Sequence, residues 1–153
     1  MRMRTLRSRA VLFVALLTSA GLASASDIAI HLRRHGAQYA VEIVNTAHDT
    51  VRINHDMSMA PVIGQLQFRI FKRTEELGMR GDVNASMATE KSYVSLLPGQ
   101  YFGGLFDADL LQAMYGMSGG CYSIDVTYFD SRAGDFHGYD KKVTSNRLKV
   151  CVP

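Results

Sequence analysis

From residue 28 onward the chain alternates apolar and polar positions with a period of two. Ile28, Ile30 and Leu32 open the pattern, and Tyr39, Val41 and Ile43 repeat it with Glu42 between them. Asn45-Thr46-Ala47-His48-Asp49 ends that run, and Val51 and Ile53 resume it briefly. Leu66, Phe68 and Ile70 alternate with Gln67 and Arg69. Tyr93 to Leu97 is a short apolar run stopped by Pro98-Gly99, and Tyr101 to Phe106 continues beyond it. Tyr122, Ile124, Val126 and Tyr128 give the clearest alternation, and Leu148, Val150 and Val152 the last. Side chains on a strand point alternately to its two faces, so this period marks half-buried strands separated by turns. Two stretches depart from it. Arg73 to Glu90 is polar and carries Gly78, Gly81, Asn84 and Ser86, which predicts a long exposed connection. Asp107 to Met117 places Leu110, Leu111 and Met114 at helical spacing, with Asp107 or Asp109 as the capping residue. The pattern predicts an all-β fold: a two-layer antiparallel sandwich of about seven strands with one short helical crossover.

The first 25 residues follow another rule. Arg2, Arg4, Arg7 and Arg9 precede an apolar run from Ala10 to Leu17, and Ala23-Ser24-Ala25 supplies the small-x-small pattern of a cleavage site. This is the layout of a secretory signal peptide, with an apolar stretch shorter than the roughly 20 residues of a membrane span. Residues 1–25 are therefore expected to be removed, leaving 26–153 as one domain in a periplasm or outside the cell. The whole chain has 17 Lys and Arg against 14 Asp and Glu, a net +3; four of those Arg lie in the leader, so the remainder stands at −1. The basic balance is a property of the leader, and nucleic-acid binding is not expected. No later apolar run is long enough to insert in a bilayer.

Cys121 and Cys151 are the two cysteines of the chain. An exported pair is expected to be oxidised. Their midpoint falls at Phe136, inside the turn-forming segment Ala133-Gly134-Asp135-Phe136-His137-Gly138. Folding the flanking strands about that point pairs residues whose numbers sum to 272. Cys121 then faces Cys151, Tyr122 faces Val150, Ile124 faces Leu148, and Asp125 faces Arg147. A slip of one residue destroys all of these matches at once.

Leu97-Pro98-Gly99, Phe106-Asp107, Gly120-Cys121-Tyr122, Tyr128, and Ser145-Asn146 before the final alternation resemble the C-terminal half of immunoglobulin-like domains in exported bacterial proteins. The resemblance spans Tyr39 to Val152. It implies that Tyr122 occupies the tyrosine-corner position, its ring in the core and its hydroxyl on backbone. It also implies that Asn45 is the strand-ending Asn that follows the second strand of such domains. Ile124 stands where antibody-type domains carry an inter-sheet cysteine, and the chain has no Trp, so antibody-like recognition is not implied.

Candidate chemistry is sparse. Cys-x-x-Cys is missing, Gly116-Met117-Ser118-Gly119-Gly120 has the Gly-x-Ser-x-Gly spacing but reads as a turn, and both cysteines are committed to a bridge, so no enzymatic activity and no cofactor are expected. The alternative is a copper-binding protein. His48, His55, Met57 and Met59 crowd one region, and imidazole with thioethers is a soft donor set suited to Cu(I). On an extended segment residues 55, 57 and 59 share a face. Against this, copper-resistance sandwiches present a His at the mature N-terminus, where this chain has Ser26. His31 and His35, four apart, lie about 13 Å from each other on a strand and cannot share an ion. The remaining expectation is a partner-binding or structural domain that engages another envelope or extracellular protein. Sandwich edges accept added strands, and the polar 73–90 stretch offers a contact surface. The aromatic-rich Tyr101-Phe102-Gly103-Gly104-Leu105-Phe106 is read as a core strand.

Overall fold

Ten strands, one α-helix and two single-turn 3₁₀ segments make up the computed structural model, which describes residues 26–60, 63–81 and 83–153. The expected export leader, residues 1–25, lies outside the described residues. The strands are β1 (Ile28–His35), β2 (Gln38–Asn45), β3 (Val51–Asn54), β4 (Leu66–Lys72), β5 (Glu75–Leu77), β6 (Tyr93–Leu96), β7 (Tyr101–Asp107), β8 (Gly120–Tyr128), β9 (Val143–Thr144) and β10 (Leu148–Val152). The helix, α1, is Ala108–Tyr115. All strand pairs are antiparallel. One sheet has the order β1-β2-β7, a second β10-β8-β4-β5 with β9 also on β8, and a two-stranded ladder joins β3 to β6.

The alternation in the sequence becomes the two-layer core. Ile28, Ile30 and Leu32 of β1 and Tyr39, Val41 and Ile43 of β2 share one buried cluster with Leu66, Phe68 and Ile70 of β4 and Tyr122, Ile124, Val126 and Tyr128 of β8. The inner faces of two sheets thus supply a common apolar interior, while intervening residues such as His31, Arg33 and Gln67 face solvent.

The β8–β10 ladder has the register that the cysteines mark. Cys121 is opposite and bonded to Cys151, Tyr122 is opposite Val150, and Ile124 is opposite Leu148. Asp125, whose side chain is 4 % exposed, accepts hydrogen bonds of 3.0 and 2.5 Å from Nε and Nη2 of Arg147. Arg69 Nε lies 3.6 Å from the other carboxylate oxygen. The return strand is not continuous. β9 pairs Val143 with Tyr128 and Thr144 with Thr127, one residue out of step with β10, so Ser145–Arg147 oppose only Val126 and Asp125. This is a β-bulge. Ser145 fills it: its N–H donates to the Val126 carbonyl and its hydroxyl oxygen accepts from the Val126 N–H.

Three expectations need correction. The 73–90 stretch contains β5, which hydrogen bonds to β4 at Ile70–Lys72; two adjacent glutamates hid it, and an edge strand tolerates such charge. The helix buries Ala108, Leu111 and Tyr115, at i, i+3 and i+7, while Leu110 is exposed. Asp107 is its cap, accepting from Leu110 N–H at 2.9 Å, and Gly116 ends it in the left-handed conformation with φ 61°. Residues 101–107 do form a strand, but none of them is buried. β7 is an edge, and its outer face meets solvent.

Candidate interaction edge

The β1-β2-β7 sheet has two edges of opposite character. In an antiparallel ladder, alternate residues bond to the neighbouring strand while the others point their N–H and C=O groups away from it. Asn45 N–H donates to Gln100 C=O at 2.9 Å, and Ala108 N–H donates to Ala37 C=O at 3.0 Å, bracketing the β2–β7 ladder in one register. Even-numbered residues of β7 are therefore the ones bonded to β2. Tyr101, Gly103 and Leu105 direct their main-chain groups to the other side. Among the described residues no strand pairs with that side, and no hydrogen bond reaches those three residues' main-chain groups from it.

The same parity rule applied to β1 gives a contrasting result. Thr46 N–H donates to Asp27 C=O, so odd residues of β1 bond to β2 and even ones face outward. There, Leu32 N–H donates to Asn146 Oδ1 and Asn146 Nδ2 donates back to Leu32 C=O, both at 2.9 Å. A side-chain amide thus stands in for a neighbouring strand, and Arg33 and Arg34 add exposed charge. These are the devices by which proteins close an edge to further pairing. β7 has none of them: no Lys, Arg or Pro, and one terminal acid, Asp107.

The side chains around the free edge are apolar. On the outer face Tyr101 is 67 % exposed and Leu105 56 %. Cross-strand rows set Tyr101 beside Val44 and Ala29, Leu105 beside Ala40 and Arg33, and Gly103 beside Glu42 and His31. Arg33 and Glu42 form an ion pair within this face. On the inner face Phe102, Gly104 and Phe106 are half-buried. The first of the adjacent glycines has a steric cause, and the second packs at contact distance. A Cβ on Gly103 would approach the Val41 carbonyl oxygen to 2.7 Å, and one on Gly104 would come within 3.4 Å of Met57 Sδ.

The residues of the copper alternative are distributed as follows. His48 is exposed in the turn before β3, and His55 lies beyond the other end of that strand. The His55 ring packs 5.8 Å from Phe102, with Nε2 3.0 Å from the Lys91 carbonyl oxygen. Met57 is buried and has φ 47°, a left-handed conformation that breaks the extended run assumed for residues 55–59. Met59 is half-buried and lines a shallow cleft with Met57, Ser58 and Phe106. Among the described residues no group of three or more His, Cys, Asp or Glu is placed to hold a metal ion. Tyr122 is buried, and its hydroxyl donates to the Ser118 carbonyl at 2.6 Å and accepts from the Ser118 N–H at 3.0 Å. A second cleft of about 380 Å³ is lined by Met59, Phe68, Leu77, Tyr115 and Phe129, with Glu76 and Lys142 also on its wall.

Chain order hides the open edge in the sequence. Tyr101–Phe106 reads as a strand, but which strand lies beside it is a long-range fact, and exposed aromatics give the same local pattern as buried ones. No protein-family model and no curated protein matches this sequence.

Proposed function

We propose that the protein is an exported, non-enzymatic domain of immunoglobulin-like type that binds a polypeptide partner by accepting an extended segment on the free edge of β7. The observation that carries this reading is the contrast between the two edges of one sheet. At the β1 edge Asn146 takes both main-chain groups of Leu32 and Arg33 and Arg34 add charge, whereas at β7 Tyr101, Gly103 and Leu105 present main-chain groups with no partner among the described residues, flanked by exposed apolar side chains. An added strand gains affinity from main-chain hydrogen bonds and selectivity from alternate side chains, so it needs no deep pocket. The leader-like first 25 residues and the Cys121–Cys151 bond support work in an oxidising compartment. Among the described residues no helix is long and apolar enough to cross a membrane.

The test is selection from a phage-displayed library of random heptapeptides. Selected peptides are expected to slow amide hydrogen exchange at Tyr101, Gly103 and Leu105. Leu105→Pro removes one outward N–H without touching the β2 ladder and should weaken binding about tenfold relative to Leu105→Ala, the value of one hydrogen bond. Failure to select any peptide, or protection confined to another strand, would overturn the proposal.

A further inference from the structure

Resting on that reading, we infer that the strand taken onto β7 is β7 of a second copy of this chain, running antiparallel about a two-fold axis at Gly103. The main-chain groups restrict the possible registers. Only Tyr101, Gly103, Leu105 and Asp107 face outward, so two copies pair only where odd residues meet odd residues. Centring the pair on Gly104 sets Tyr101 against Asp107 and Leu105 against Gly103. Centring it on Phe102 sets Tyr101 against Gly103. Centring it on Gly103 alone sets Tyr101 of each copy against Leu105 of the other, the two most exposed apolar side chains of the strand. Gly103 then meets its own copy, and on the inner face Phe102 falls opposite Gly104, large against small in both directions.

The charges agree with that register. Asp107 falls opposite Gly99 of the second copy, so no charge of β7 meets a like charge across the seam. On the outer face the apolar rows Val44–Tyr101 and Ala40–Leu105 flank the axis, and between them Glu42 lies beside Gly103, its charge held in the ion pair with Arg33 of its own copy. The two apolar rows supply the contact, and the acid beside the axis is neutralised within each copy. The pairing is also self-limiting. A joined sheet would run β1-β2-β7-β7-β2-β1, and both its ends would be β1, the edge that carries Arg33 and Arg34 and is capped at Leu32 by Asn146. An isologous contact of this kind uses up the β7 edge of both copies and so closes at two.

Sedimentation equilibrium of the purified exported protein, combined with directed cross-linking, tests this. The unaltered protein is expected to dimerise with concentration, and Leu105→Lys, an exposed position outside the core, to raise the dissociation constant by about tenfold or more. The double variant Y101C/L105C should form a covalent dimer under mild oxidation, with peptide mapping joining position 101 of one copy to 105 of the other. Y101C alone should not, because the register holds its two copies about 13 Å apart. A dimer that L105K leaves intact, or one that Y101C alone cross-links, overturns the register. A monomer that still binds selected heptapeptides along β7 overturns self-pairing and leaves strand addition by a foreign segment standing. A monomer that binds none ends both readings.

Discussion

Asn45 shows how much one buried side chain can organise. It is 1 % exposed, and its Nδ2 donates 2.8 Å hydrogen bonds to the carbonyls of both Asp49 and Leu96, while Oδ1 accepts from Ala47 N–H. Its own main chain bonds to Gly99 and Gln100. A single residue thereby ties the end of β2 to the start of β3, the end of β6 and the turn into β7. Asn45→Ala leaves two carbonyls and one N–H without these partners, and should lower unfolding free energy in urea by about 2–3 kcal/mol. Asn45→Asp keeps an acceptor for Ala47 but loses both donors, so it should not restore stability. An alanine variant within 0.5 kcal/mol of the parent, roughly the neutral range for surface changes, would show that the three bonds carry no net weight. Position 45 stands out in the sequence as an Asn closing an alternating run. Its partner at Leu96 comes from 51 residues away and is not legible there.

Among the elements, the strands with the strongest alternation were the most legible. β1, β2, β4 and β8 each bury alternate apolar residues, and a period of two at that strength has no competing explanation. The Cys121–Cys151 register was legible for another reason. Three independent kinds of pair, apolar, ionic and covalent, agree on one alignment, and a one-residue slip puts each side chain on the wrong face. The short elements were not legible. β5 begins Glu75-Glu76, and β9 has two residues, too few to show a period. β7 is legible as a strand, but its exposure is not, since burial depends on neighbours that are distant in sequence. Gly103 is a local signal of close packing, and the Val41 carbonyl oxygen supplies it. Because the Leu105 N–H faces away from β2, Leu105→Pro should be folded, as prolines are accommodated on edge strands with that orientation.

At the scale of the whole molecule, both layers rest on buried tyrosines. Tyr115 donates to the Phe68 carbonyl at 2.9 Å, and its pKa is pushed up to about 12, first by burial and then by the nearby charge of Glu76. Burial also raises Tyr128 and Tyr93, the latter further through its hydrogen bond to Asp130 and that residue's charge. Tyr39 is raised by burial against a smaller opposing effect of Arg34. Each of these phenols is neutral in the folded protein at a pH where the unfolded chain, with an ordinary tyrosine value near 10, has begun to ionise. Their contribution is complete below about pH 10 and is lost as pH rises through the folded values, from about 12 for Tyr115 upward. Unfolding midpoints should therefore be level from pH 8 to about 9.5 and fall with increasing slope above 10. Tyr115→Phe should flatten part of that fall. A midpoint independent of pH up to about 11.5 would remove the tyrosine account.

The open edge of β7 is the feature on which both the proposed function and the proposed dimer rest. Amide hydrogen exchange of the exported protein, followed residue by residue over a wide range of concentration, tests it most directly. The even-numbered amides Phe102, Gly104 and Phe106, bonded to β2, should be protected at every concentration. The amides of Tyr101, Gly103 and Leu105 should exchange freely in dilute solution and become protected as concentration rises. Equal exchange of the odd and even sets in dilute solution would contradict the open edge, and odd-numbered amides that exchange freely at every concentration would contradict the dimer alone.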